Sequence, residues 1–338
     1  MNDCTLVCID SFEVRNVNRH RQLTCILSAL GLLILILDGK TTLSGAADGI
    51  DMCVRTVIPA LFPFFVLSST FLSFSASFSW REKGLPSLLG FPRGAGALAL
   101  PCFLGGYPVG AQSVYQAYAD GHLRKASAQK LLAFCNNAGP AFVFGVVGQM
   151  FPKPWMPWAL WGIHIAGALV AARCLSDMDD SECVDKQPVS SNGDIMAGAV
   201  KTMGVVCGWI VLFRVWIAFL DRWFLWLLPQ AVRVAVVGLL ELSNGCCELT
   251  QISNISIRFI LCSGMLAAGG LCVTAQTVSV TKALSLRYYW LGKMIQLLVS
   301  LVLSCCIVYR TIVPIIFVLP LLHRIRKKRS GNQALSGV

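Results

Sequence analysis

Charge is scarce in this chain. Asp, Glu, Lys and Arg make up 13% of its 338 residues, about half the roughly 25% of an average soluble domain. So few charges cannot cover the surface of a folded soluble domain of this length, so the exterior is expected to face lipid. Histidine is also scarce, at four residues. The 15 cysteines form no pair of Cys-x-x-Cys motifs, and none lies at zinc spacing from a histidine. Most sit inside apolar runs, as Cys102, Cys207, Cys262, Cys272, Cys305 and Cys306 do, where a free thiol acts as a small hydrophobe. Neither a disulfide framework nor a metal site is expected. There is no Gly-x-Ser-x-Gly, P-loop, His-Glu-x-x-His or dinucleotide fingerprint. The chain therefore does not read as an enzyme, and no cofactor is expected beyond a coupling proton or cation. His164, alone in an apolar span, reads as a packed residue. The N-terminus does not read as a cleaved signal, because Asp3, Asp10 and Glu13 precede the basic residues and no small-residue cleavage site follows.

Apolar residues are abundant, at 56% with a mean hydropathy of +0.67. The net charge is +11, but the basic residues lie in short connections: Arg15, Arg19 and Arg21; Arg81, Lys83 and Arg93; Arg124, Lys125 and Lys130; and the tail from Arg324 to Arg329. That is the distribution of a membrane topology signal, not of a nucleic-acid-binding face.

The expected fold is an all-α polytopic membrane protein. Five regions are read: a cytoplasmic N-terminal segment at 1–21, a first membrane half at 22–175, a polar acidic linker at 176–195, a second membrane half at 196–322 and a basic tail at 323–338. Apolar segments are read at Leu23–Leu37, Met52–Phe78, Gly94–Ala119, Lys130–Met150, Trp155–Ala172, Met196–Leu220, Ala231–Ile252, Arg258–Val280 and Tyr288–Val308. Ile312–Leu322 is too short for an ordinary span. Trp155, Trp158 and Trp161 read as interfacial anchors. In each half a pair of consecutive segments is interrupted near its centre, the pattern of two inverted repeats with re-entrant hairpins and broken helices. With the N-terminus inside, the basic loop at Arg81–Arg93 falls inside, and His122–Lys125 does too if Gly94–Ala119 is re-entrant. The basic tail then counts as outside unless Ile312–Leu322 crosses.

The interruptions supply the candidate site. A helix opened in lipid exposes backbone groups at a cost of several kcal/mol each, so breaks persist only against protein or a water-filled cavity. Half-helix N-termini then attract anions and C-termini attract cations. Gly105-Gly106-Tyr107-Pro108-Val109-Gly110 is the strongest break and reads as a re-entrant hairpin, as a loop between short spans or as a helix–helix packing surface. Asn136-Asn137-Ala138-Gly139-Pro140 places two amides at membrane depth, for a solute or for bonds between helices. Glu241, an ionisable residue within a span, is a functional candidate by default. It binds a cation, carries a proton or contacts solute; the alternatives are a helix cap or a pair with Arg214. Asn244 and Gly245 stand beside it, and Gln276 follows the Gly269-Gly270 break. The candidate substrate-binding set is Gly106, Tyr107, Pro108, Gly110, Asn136, Asn137, Gly139, Glu241, Asn244, Gly270 and Gln276. Glu248 reads as lying near an interface.

Pro59-Ala-Leu-Phe-Pro-Phe-Phe, Gly105-Gly-Tyr-Pro-Val-Gly-Ala111 and Phe134-Cys-Asn-Asn-Ala-Gly-Pro140 resemble the sporulation integral membrane protein YlbJ family, also called stage V sporulation protein V. Leu240-Glu-Leu-Ser-Asn-Gly245, Gly269-Gly270 with Gln276, and Lys293 extend the likeness, which covers roughly Met52 to Ser300. The resemblance implies a nucleoside-recognition gate domain, distantly similar to concentrative nucleoside transporters, with two inverted repeats around a midplane site. It further implies transport of dipicolinic acid in spore formation, from a cell membrane or outer forespore membrane, with Glu241 serving cation or proton coupling. A nucleoside carrier and a spore-envelope assembly protein are the alternatives. The expected partners are a small solute and the lipid bilayer, with a homo-oligomer left open.

Overall fold

A computed structural model describes residues 22–75, 98–175, 195–282 and 284–310. The terminal segments, the loop at Arg81–Arg93, the acidic linker and Ile312–Leu322 lie outside the described residues. Among those described, every regular element is helical. Five helices are long and apolar enough to cross a membrane: Gly39–Leu67, Trp155–Leu175, Ile195–Trp223, Ile255–Thr281 and Arg287–Tyr309. The chain is a multi-pass integral membrane protein.

The elements run α1 Gln22–Leu37, α2 Gly39–Met52, a π-helical turn Cys53–Val57, α3 Ile58–Ser75, α4 Ala99–Leu104, α5 Val109–Ala119, α6 Lys125–Cys135, α7 Pro140–Gly145 and α8 Trp155–Leu175. The second half runs α9 Ile195–Trp223, α10 Gln230–Leu240, α11 Leu242–Glu248, α12 Ile255–Ala268, α13 Gly270–Thr281 and α14 Arg287–Tyr309. Two expected boundaries are corrected. The span read from Met52 starts at Gly39, because Asp38 caps α2 by accepting from the Thr41 amide at 3.2 Å. The exposed Asp51 and Arg55 form an i,i+4 pair across the expected boundary. The segment read from Lys130 starts a turn earlier, at Lys125.

Small residues let the helices approach closely, as van der Waals packing between membrane helices requires. Gly45 and Gly49 on α2 form a Gly-x-x-x-Gly face against Val211 and Val215 of α9. Gly167 of α8 sits against Gln296 and Ser300 of α14, and Gly292 of α14 sits against the Ala133 carbonyl of α6.

Helix α14 shows how the molecule faces its solvent. Tyr289, Gly292, Lys293, Gln296, Ser300 and Ser304 are buried, while Trp290, Leu291, Met294, Leu298 and Ile307 are exposed. The polar stripe recurs at intervals of three and four and faces the protein. The apolar face looks outward, as lipid favours.

Candidate functional site

Each half has a packed pair of helices followed by a broken helix. In the first, α4 and α5 are packed against each other and joined by Gly105–Pro108. Gly106 takes a left-handed φ of 73°, which a glycine adopts without steric cost. Gly110 comes close to Cys102 as the chain doubles back. Next in sequence, α6 stops at Cys135, Asn136 and Gly139 are extended, and α7 starts at Pro140. Pro140 is suited to a first helical turn because it needs no N–H partner there. The tip and the break meet through two glycines: a Cβ on Gly139 would lie 2.9 Å from the Gly106 Cα.

In the second half, α10 and α11 fold back on one another with Glu241 at the turn. Gly238 and Gly245 lie so close that a Cβ on Gly245 would stand 2.1 Å from the Gly238 Cα. The following helix is broken between α12 and α13 at Gly269 and Gly270, with φ of 73° and 80°. Gly270 lies under the Gly238 and Leu239 carbonyls. Again a doubled-back tip rests on a break.

The two units meet around a cavity of about 40 Å³, room for a few waters. Gly106 and Tyr107 from the first tip, Gly139 from the first break, Glu241 and Ser243 from the second tip and Gln276 from α13 line it. Phe64, Phe65, Val206 and Ile210 supply apolar wall.

Glu241 is buried and caps α11. Its carboxylate accepts from the Ser243 amide at 3.0 Å, the Asn244 amide at 2.6 Å and the Asn244 side-chain amide at 2.7 Å. Three donors and no acceptor suit the ionised form. The cap is one of the alternatives the sequence left open. The pair with Arg214 does not form: Arg214 bonds Asp48 at 2.9 Å and lies 3.9 Å from Asp221. Glu248 pairs with Arg233 at 2.9 Å, and Arg233 also holds Asp221, also at 2.9 Å. This joins the base of the second hairpin to α9.

Asn136 and Asn137 are buried beside the cavity, not among its lining residues. Asn136 donates to Thr277 Oγ1 at 2.7 Å. Asn137 donates to the Phe134 carbonyl at 2.6 Å and the Cys102 carbonyl at 3.2 Å, so it fastens the break to the first hairpin. Its Oδ1 accepts from Gln296 Nε2 at 3.1 Å. His164 Nε2 accepts from the Ala138 amide at 2.9 Å, so this histidine satisfies an open backbone donor of the break.

Lys293 lies at the centre of this network and is only 3% exposed. Its ammonium donates to the Asn136 carbonyl at 2.7 Å, Gln296 Oε1 at 3.0 Å and the Tyr107 hydroxyl oxygen at 3.3 Å. It stands 5.0 Å from the centre of the Tyr107 ring. The other predicted residues take supporting positions. Pro108 immediately precedes α5, Gly110 abuts the Cys135 carbonyl, Asn244 holds Glu241, and Gly270 packs beneath the second hairpin. Gln276 donates to Cys272 Sγ at 3.3 Å while lining the cavity. Gln296, Thr277 and the role of His164 were missed. The sign in the sequence was the Lys293, Gln296, Ser300, Ser304 stripe on one helix.

No family model matches this chain, and no solved structure matches it. It is similar to the sporulation integral membrane protein YlbJ of Bacillus subtilis (strain 168), at 21% identity over 307 residues, covering 76% of this chain and 75% of that protein. The chain is thus a distant relative of a sporulation integral membrane protein.

Proposed function

We propose that this protein is a carrier for a small polar or anionic solute, with dipicolinate as its cargo during spore formation. The observation that carries the reading is the doubled device: two packed helical pairs, each with its tip on a helix break, meeting at a cavity that Glu241 lines. Breaks and an ionisable group inside a lipid-facing bundle are costly to keep. In a carrier they serve a solute site at the interface of two repeats. On this reading α4–α7 and α10–α13 are inverted copies of one gate-like unit, and both hairpins are re-entrant. The relationship to a sporulation membrane protein favours a role in the spore envelope, and the YlbJ-family resemblance supplies the dicarboxylate.

A cavity of about 40 Å³ holds no pyridine dicarboxylate. The structure therefore has no room for the solute, and on this reading solute entry requires one tip to leave its break. Each tip is attached by glycine contacts and a few hydrogen bonds, a small interface that can open without unfolding the bundle.

Uptake of radiolabelled dipicolinate into proteoliposomes tests the proposal. Saturable uptake by the native protein, lost in Glu241→Ala and Asn137→Ala variants that still insert, supports it. Binding of uridine or adenosine, with neither binding nor uptake of dipicolinate, would move the cargo to a nucleoside. Absence of uptake of either solute would favour an assembly role.

A further inference from the structure

The protonation state of Lys293 follows from its neighbours. Tyr107 spends its one hydroxyl proton on the Leu266 carbonyl at 3.0 Å, so its oxygen can only accept from Lys293. The Asn136 carbonyl has no proton to give. Gln296 uses its amide hydrogens on Asn137 Oδ1 and the His164 carbonyl, both at 3.1 Å, which turns Oε1 toward the lysine. Three acceptors around Nζ match the three protons of an ammonium. None of the ion pairs among the described residues involves Lys293. Glu241 is engaged elsewhere. The titratable groups around it are Tyr107 from the first hairpin, Tyr289 on its own helix and His164 from α8.

The place this ammonium occupies has the chemistry of a monovalent cation site. Asn136 is where α6 ends, so its carbonyl carries the negative end of the helix and lacks an intrahelical donor. Tyr107 belongs to the first tip and Gln296 to α14. Three neutral oxygens from three elements converge on one positive charge, at the seam between a tip and a break.

We propose that Lys293 is a tethered coupling cation: its ammonium permanently fills the oxygen cluster where a free monovalent ion would join the first hairpin to the first break, so the carrier works without sodium. This rests on the carrier reading above. It also gives Lys293 a role in holding the α4–α5 tip closed, separate from contact with solute, since Lys293 is not among the cavity-lining residues.

The test uses Lys293→Ala, which removes the three outer carbons and the amine but keeps the oxygens, with propylammonium as the replacement. The melting temperature of the purified variant in detergent should fall by several degrees. Millimolar propylammonium should recover part of that loss, 1-propanol should recover none, and native protein should respond to neither. Dipicolinate uptake by the variant should fall at least tenfold. Native uptake should agree within twofold in sodium and N-methylglucamine buffers. Native uptake that requires sodium overturns the proposal, and so does a Lys293→Met variant that melts and transports like the native protein. The sodium comparison stands even if the alanine variant does not fold. If native protein moves neither dipicolinate nor a nucleoside, the carrier reading fails, while the propylammonium melting curves still decide whether the oxygens form a cation site.

Discussion

The hydroxyl of Tyr107 donates to the carbonyl of Leu266 across 159 positions of sequence, at 3.0 Å. Leu266 lies in the last turn of α12, just before the Gly269–Gly270 break. One side chain at the tip of the first hairpin therefore touches the second broken helix while its oxygen receives Lys293. The two halves of the site are joined there.

Tyr107→Phe removes that joint and keeps the ring. The Leu266 carbonyl and the Lys293 ammonium each lose a buried partner, at about 1–3 kcal/mol for a group left unpaired. Thermal unfolding should show a clear loss of stability. Solute uptake should fall further than stability does, because the first tip is released from the second break.

Glu241→Gln tests the cap. The amide offers one acceptor oxygen and presents its NH₂ to a region that already holds three donors. The expected cost is about 1–2 kcal/mol in stability, with uptake reduced at least tenfold. Glu241→Gln with unchanged stability and uptake would remove Glu241 from the site.

Close backbone approach is tested with two alanines. At Gly110 a Cβ would stand 1.9 Å from the Cys135 carbonyl oxygen, a backbone atom that cannot move alone. Gly110→Ala should destabilise by about 1–3 kcal/mol. Gly162 lies in α8, and a Cβ placed there would meet nothing within 4 Å. Gly162→Ala should be neutral or stabilising by up to about 1 kcal/mol. Melting curves of the two variants in the same detergent check both.

Arg233 binds Asp221 and Glu248 at the base of the second hairpin. Arg233→Met leaves two carboxylates facing each other and should cost about 1–2 kcal/mol, because the cluster is only partly exposed. Adding Glu248→Gln should return part of that loss in a double-mutant cycle, since one of the two repelling charges is then gone.

Much of this arrangement was legible in the sequence, for a physical reason. Clustered glycine, proline and asparagine do not hold a helix, so Gly105–Gly110, Asn136–Pro140 and Gly269–Gly270 marked the breaks directly. Glu241 stood out as an ionisable residue within a span. Two kinds of feature were hidden. The start of the second span was masked because the missed stretch carries Lys40, Asp48 and Asp51, although Asp48 and Asp51 are paired in the fold with Arg214 and Arg55. The Lys293 network was hidden because its members come from α6, α8, α13 and α14, and hydropathy along one helix does not show which neighbour a polar stripe meets. His164 read as packing because its partner, the Ala138 amide, is a donor created only by the break.

Solute counterflow tests the central claim most directly. Proteoliposomes preloaded with unlabelled dipicolinate are diluted into trace labelled dipicolinate. A carrier with alternating access produces transient accumulation of label above its equilibrium level, absent from empty vesicles and from vesicles holding Glu241→Ala. Label that only equilibrates, at the same rate with and without preload, would contradict the carrier account.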